Sequence, residues 1–392
     1  MILRATLLVL AAVALAAPPA RPCSAFLVCG EGRVLFGNNE DYLDPETRVW
    51  FVPATGERHG VMYLGFDNGF PQGGMNDAGL AFDGFATGAK PLRQQDGKRA
   101  YPGNPIVEAM ETCATVEEVV AFLETVDLSP LLTRAMLFFA DASGDAVIVE
   151  GDEFLRKSGD WQAITNFYQS EHEDDRAQCP RYAAAVKVIE ARDAVTVDMC
   201  ERALAASAQR GKVIATLYSN VFDLSARTAR LYLFHDFEHV VELDLAAELA
   251  KGARTLVLPD LFEENAAFEA YVEYQTKSLE QRTAERRGPT PPADVLEGWA
   301  GRYDLTYTGA SYRVDVARDG DGLSAYSPLF ANDTHTIELL AASDDEFFAM
   351  RPTGELVFRF RRDDAGTATG FTLLVSGVPH DAVRVRPVSG TD

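Results

Sequence analysis

The residue best equipped for chemistry is Cys23, which stands directly behind an apolar leader and opens the run Cys-Ser-Ala-Phe-Leu-Val. Cleavage at that bond would make Cys23 the first residue of the mature chain. Its Cα would then carry a thiol and a free α-amine, pairing a nucleophile with a base whose ordinary pKa is about 7.7–8.0. Asp41 ends the segment Gly37-Asn38-Asn39-Glu40-Asp41 on the next strand, where a carboxylate could orient that amine or simply sit in a turn. Asn166 follows a strand in Ile164-Thr165-Asn166, and a side-chain amide there can donate to a developing oxyanion. Arg181 opens a helix, where the helix dipole disfavours a cation, so it asks for a specific partner or for solvent.

The leader has the grammar of a secretory signal: Arg4, an apolar run from Leu7 to Ala17, and the small-residue cleavage site Ala14-Leu15-Ala16. The run is shorter than the roughly 20 apolar residues of a membrane-spanning helix, so a retained anchor is the lesser reading. Cleavage after Ala16 would leave Ala17 to Pro22 ahead of Cys23, to be removed by a later cut or by self-cleavage. A lipidated Cys23 on a surface binding protein is the non-enzyme alternative, although Arg21-Pro22 suits that processing poorly. The expected location is secreted or periplasmic.

The chain has 392 residues, 47% of them apolar and 24% charged, which suits two or three globular units. Its net charge of −23 argues against nucleic-acid binding, which needs basic patches. Cys23, Cys29, Cys113, Cys179 and Cys200 show no metal-ligand spacing. Apart from Cys23, the other four could form up to two disulfides or stay as buried thiols. His235 and His239 are four apart but fall in strand and loop, where that spacing does not converge on a metal, and no cofactor is expected. Asn332-Asp-Thr334 is a formal glycosylation sequon.

The elements that must position these residues read as strands, then helices, then strands. Strands are expected at Ser24–Val28, Arg33–Phe36, Val49–Pro53, Val61–Phe66, Leu80–Phe85, Ala135–Ala140, Ala146–Glu150, Trp161–Thr165, Val213–Phe222 and Ala229–His235. Helices are expected over Pro105–Cys113, from the capping box at Thr115 to about Thr125, over 181–193 and over 196–208. Asn76-Asp77-Ala78-Gly79 reads as a turn. This is a layered α+β domain over 23–280. Residues 281–294 are charged, then Pro-rich, and read as a linker. From 295 to 392, short strands with Asp/Gly turns suggest a small all-β barrel or sandwich with nothing catalytic in it.

In order along the chain, Cys23, Gly37-Asn-Asn-Glu-Asp41, Gly74-Met-Asn-Asp-Ala-Gly-Leu80, Thr165-Asn166, Arg181-Tyr182 and Tyr218-Ser219-Asn220 resemble the N-terminal-nucleophile hydrolases of the choloylglycine hydrolase and penicillin V acylase group. The likeness spans roughly Cys23 to Leu258. It implies an αββα four-layer fold and autocatalytic exposure of Cys23. It also implies Cys23 as nucleophile, Asp41 as the amine-orienting carboxylate, Asn166 and the backbone N–H near Ala86 as oxyanion donors, and Arg181 as an active-site arginine. Many bile-salt hydrolases of that group place an arginine where this chain has Asn38, which weakens any case for bile-salt specificity. Compact members lack the C-terminal region, which looks similar to lipocalin-like β modules appended to some secreted hydrolases.

The expectation is therefore a secreted amidase that cleaves a linear amide through an acyl-enzyme. Its partner is a small-molecule amide, with no nucleic acid and no membrane span once the leader is gone. A dipeptidase of the related N-terminal-cysteine peptidase group, an N-acyltransferase and a homo-oligomeric assembly all stay open.

Overall fold

The computed structural model describes residues 23–385 except 91, 93–96, 102–103, 173–174, 308–309, 331–333 and 376. The leader and Asn332 of the sequon lie outside the described residues.

Two antiparallel sheets face each other. The first has six strands in the order β10-β1-β2-β11-β12-β13: β1 is Ser24–Gly30, β2 Arg33–Tyr42, β10 Trp161–Thr165, β11 Ala215–Asp223, β12 Thr228–Leu233 and β13 Val241–Asp244. The second has eight, in the order β14-β3-β4-β5-β6-β7-β8-β9. In it, β3 is Thr47–Val52, β4 Val61–Phe66, β5 Pro71–Asn76, β6 Ala81–Ala86, β7 Ala135–Ala140, β8 Ala146–Glu150, β9 Glu153–Arg156 and β14 Arg254–Val257.

Because strand side chains alternate faces, each sheet feeds two cores. In β1, Ala25 and Leu27 join Phe36, Phe85, Phe138 and Ile148 between the sheets. Phe26 and Val28 point the other way and pack with Tyr182, Val186, Ile189, Cys200 and Leu204 of the helices Pro180–Glu190 and Val197–Ser207. On the far side, Tyr63, Phe82 and Phe139 pack against the helices Pro105–Thr112 and Val116–Leu123. The result is the four-layer αββα sandwich. The Thr115 capping box forms: its hydroxyl accepts from Glu118 N, and the Glu118 carboxylate accepts from Thr115 N.

Asn39 ties the helical layer to its sheet. It faces outward from β2, donates to Leu204 O at 2.9 Å and to Ser207 Oγ, and accepts from Ser219 Oγ at 2.6 Å.

Besides the short strands β9, β13 and β14, which were not expected, three elements depart from the sequence reading. The second strand runs on through Gly37–Asp41 to Tyr42, so Asp41 lies in a ladder and not in a turn. Strand β5, with its Pro71 and paired glycines, forms where no strand was expected. The expected linker 281–294 is helical as far as Arg286, the end of a 21-residue helix Ala266–Arg286, and a short helix begins again at Ala293.

That long helix joins the two parts of the chain. Phe268, Tyr271 and Gln275 are its buried face on the sandwich. Arg282 donates to Arg351 O and Pro352 O, and Arg286 pairs with Glu346 and Glu355. Between Gly301 and Arg384, eight strands close into a barrel in sequential order. Tyr303, Leu323, Phe347, Phe358 and Phe371 fill its interior. Trp299 stacks on Phe360 and donates its indole N–H to Asp344 O at 2.7 Å. This is a packed core and not an open ligand cup.

Candidate active site

Cys23 sits at the head of β1, only 4% exposed, with its side chain in the inter-sheet core and its Sγ 3.9 Å from Asp41 O. Burial pushes the thiol far above its ordinary range, and the Glu40, Asp41 and Asp83 carboxylates push it further. A thiol in that setting needs a base at hand to become a nucleophile.

The geometry on the opposite face of the same strand ends is set by Arg181. It occupies the second position of the helix Pro180–Glu190, whose Pro180 suits a first-turn site with no N–H to satisfy. Its Nη1 donates to Cys23 O at 2.8 Å and Ser24 Oγ at 3.1 Å and pairs with Asp41 Oδ2 at 3.4 Å; its Nη2 donates to Asn166 Oδ1 at 3.3 Å. One planar fork thus holds the Cys23 carbonyl, the carboxylate and the amide in a fixed relation, a task that suits a guanidinium.

Asp41 is fully buried and also accepts from Gln209 Nε2 at 2.9 Å and from the Thr216 hydroxyl. Thr216 reaches it because β11 carries a bulge between Thr216 and Tyr218, which places Thr216 opposite Asp41 and Tyr218 opposite Glu40. Burial pushes the Asp41 carboxyl up to about 7, against the pull of Arg181, Thr216 and Gln209. His235 donates its Nε2–H to Gln209 O at 2.6 Å, extending this chain of contacts.

Asn166 lies just past β10 and donates its Nδ2 to Ala86 O at 2.8 Å, so the amide and the end of β6 are joined. The stretch behind each is stapled to the other: Thr87 Oγ1 lies 2.6 Å from Tyr168 OH, which itself donates to Gly88 O at 2.8 Å. Asn38 does not reach this group. It is buried between the sheets, where its Nδ2 lies 3.5 Å from Asn220 Oδ1. Cys23, Asp41, Asn166, Arg181 and Ala86 are therefore brought together, and Asn38 stands one strand position further in.

The motif at Gly74–Leu80 is structural. Asn76 accepts from Ala78 N and Leu80 N and donates to Met110 O and Cys113 O, bracing a turn against a helix end.

Sequence reasoning missed the inner acids. Glu40 and Asp83, from facing sheets, are 2% and 1% exposed, and Tyr218 lies beside them. Burial, then Glu40, pushes the Asp83 carboxyl well above its usual range. Asp83 fits because residue 73 is glycine: a Cβ there would lie 2.7 Å from Asp83 Oδ2. The signal that could have found Glu40 is the period of two in β2, which puts Asn38 and Glu40 on the inner face with Phe36.

A cavity of about 70 Å³ opens beside the thiol, lined by Cys23, Glu40, Asp41, Tyr42, Phe66, Asn68, Gln72, Gly84 and Ala86. All five cysteines are free thiols. At Cys179, burial raises the thiol, but Arg181, Thr165 and two backbone N–H groups outweigh it and leave the thiol low. Among the described residues no group of three or more His, Cys, Asp or Glu side chains is placed to hold a metal, and no helix is long and apolar enough to cross a membrane.

The structure is similar to that of penicillin V acylase from Agrobacterium tumefaciens, at 18% identity and a TM-score of 0.47, over 63% of this chain and 98% of that one. It is similar also to a mutant conjugated bile acid hydrolase from Clostridium perfringens, at 15% identity and a TM-score of 0.46, over 62% of this chain and 97% of that one. No model of a known protein family and no curated protein matches the chain.

Proposed function

We propose that this chain is a secreted amidohydrolase that cleaves a linear C–N amide through an acyl-enzyme on Cys23, exposed as the N-terminal residue. The observation that carries the reading is the clamp of Arg181 on Cys23 O, Asp41 and Asn166 at the head of β1. A chain end ordinarily frays. Here the end that cleavage would create is held by a guanidinium, with a buried carboxylate beside it.

In this reading the α-amine of Cys23 takes the thiol proton, and the thiolate attacks the amide carbon. Asn166 and the N–H near Ala86 are the donors to the resulting oxyanion. The C–N bond breaks as the α-ammonium returns its proton to the leaving amine. Water then attacks the thioester, releasing the carboxylic acid and the thiol. Asp41 orients the amine, since its buried carboxylate gains from a cation at the end of β1. Cys23→Ala should abolish turnover of N-acyl amides while leaving the fold intact. Undiminished turnover in that variant would sink the assignment.

A further inference from the structure

Strand β12 ends in a turn that its own residues do not suit. Asp236 N donates to Leu233 O at 3.1 Å and closes the turn. The two residues between, Phe234 and His235, both have positive φ, 45° and 66°. Two left-handed residues in succession are what hairpin turns ordinarily fill with Asn-Gly or Gly-Gly, because a β-carbon there is strained. A bulky ring and an imidazole keep that conformation only where their side-chain contacts offset the strain.

For Phe234 the contact is packing. It is 8% exposed, and its ring centroid lies 5.7 Å from that of Phe268 and 5.1 Å from that of Tyr271 on the long helix. For His235, which is half-buried, the contact is polar: the Nε2–H donated to Gln209 O. Asparagine would suit the left-handed backbone better. Its amide nitrogen, however, ends one bond nearer the backbone than Nε2 and falls short of Gln209 O.

Gln209 leads from this turn to the site. It lies in the irregular stretch after the helix Val197–Ser207. Its backbone is held from two sides, by reciprocal bonds with Thr216 and by the imidazole. Its side chain donates to Asp41 Oδ2, the oxygen that also faces Arg181, while Thr216 holds Oδ1. A group that orients another acts only in a fixed direction, so what fixes Gln209 fixes what Asp41 can do. His235 thus stands two hydrogen bonds behind Asp41 and outside the described lining of the cavity beside Cys23.

We propose that His235 is a positioning residue: by pinning the Gln209 backbone it sets the amide that holds Asp41, and through Asp41 the direction of the Cys23 α-amine. This rests on the amidase reading and adds to it a residue that touches neither substrate nor nucleophile.

The test is a double-mutant cycle on protein verified by mass to begin at Cys23, with p-nitrophenyl acetate as the probe. The thiol proton passes to the α-amine, the sulfur attacks the ester carbonyl, and p-nitrophenolate leaves as the acetyl thioester forms. The rate that remains after subtracting that of Cys23→Ala protein is acylation of Cys23. His235→Asn should slow it about 3- to 10-fold, the range for one neutral hydrogen bond. In a Gln209→Ala background the same substitution should change it by less than about two-fold, because the route to Asp41 is already cut. A role in folding alone would slow both backgrounds alike. His235→Gly, which the turn accepts as readily, takes the place of His235→Asn if that chain does not fold. Undiminished acylation in the substituted chain, or equal slowing in both backgrounds, overturns the inference and leaves the amidase reading in place. If wild type is no faster than Cys23→Ala, the amidase reading falls and the inference with it.

Discussion

Asp41→Asn probes the buried carboxylate directly, and its effect should depend on whether the chain has been cut before Cys23. In the uncut chain the Asp41 carboxyl titrates near 7 against an ordinary 3.8, chiefly because it is buried. A raised carboxyl means that the folded state holds a proton that the unfolded state has released, so stability falls as pH rises through that window. The shift of about three units corresponds to about 4 kcal/mol lost between pH 4 and pH 8, at about 1.4 kcal/mol per unit. Asparagine cannot titrate. It also turns an amide N–H toward the donors Gln209 and Arg181, a penalty of about 1–3 kcal/mol at every pH. Urea unfolding of both chains, each in a Cys23→Ala background that blocks self-cleavage, should therefore show the variant about 1–3 kcal/mol less stable at pH 4 and, after a swing of about 4 kcal/mol, about 1–3 kcal/mol more stable at pH 8. Other titrating groups cancel in the difference. In cut protein the α-ammonium beside Asp41 should hold the carboxylate low and remove most of this pH dependence, while the substitution slows turnover. A deficit that stays constant with pH in the uncut chain would refute the reasoning.

Three smaller changes test the frame around the site. Arg181→Lys keeps the charge but cannot span Cys23 O, Ser24, Asp41 and Asn166 together, so kcat should fall on the order of 10- to 100-fold with the far-UV CD spectrum unchanged. Gly73→Ala forces a methyl onto Asp83 and should cost about 1–3 kcal/mol in thermal or urea unfolding. Thr115→Ala removes a helix cap remote from Cys23 and should cost about 1 kcal/mol while leaving kcat/KM as it was.

The elements legible in the sequence are those whose pattern is local. Val61–Phe66, Ala135–Ala140, Ala146–Glu150 and Trp161–Thr165 stand in the structure with the bounds their apolar runs predict. Both helix pairs are also where their spacing places them, within a few residues. Strand β5 escaped because Pro-Gln-Gly-Gly has no strand signature of its own; its glycines answer to Asp83 and to Met62 O on neighbouring strands. The helix Ala266–Arg286 escaped because it buries only Phe268, Tyr271 and Gln275 and is polar over the rest of its surface.

The site divides in the same way. Cys23, Asp41, Asn166 and Arg181 are visible by type and order. Gln209 and Thr216 are not: a bulge between Thr216 and Tyr218 turns the Thr216 hydroxyl to Asp41, and Gln209, outside the strand, is held beside it by hydrogen bonds with Thr216 in both directions. The resemblance set Asn38 where that group often carries an arginine, but Asn38 lies deeper along the inner face than the Cys23 thiol, opposite Ala25 and against Asn220. The C-terminal module was legible as all-β, but its closure depends on pairing its first strand with its last, Tyr303 with Arg384, more than 80 residues apart. That separation leaves no local trace.

The claim on which the rest depends is that Cys23 becomes a free N-terminal residue. Intact-mass and N-terminal fragment analysis of protein secreted from a host of the native type measures it directly. The account predicts a chain beginning at Cys23 with an unmodified thiol and α-amine. A mature chain that retains Ala17 to Pro22, or one with a diacylglyceryl group on Cys23, would contradict it.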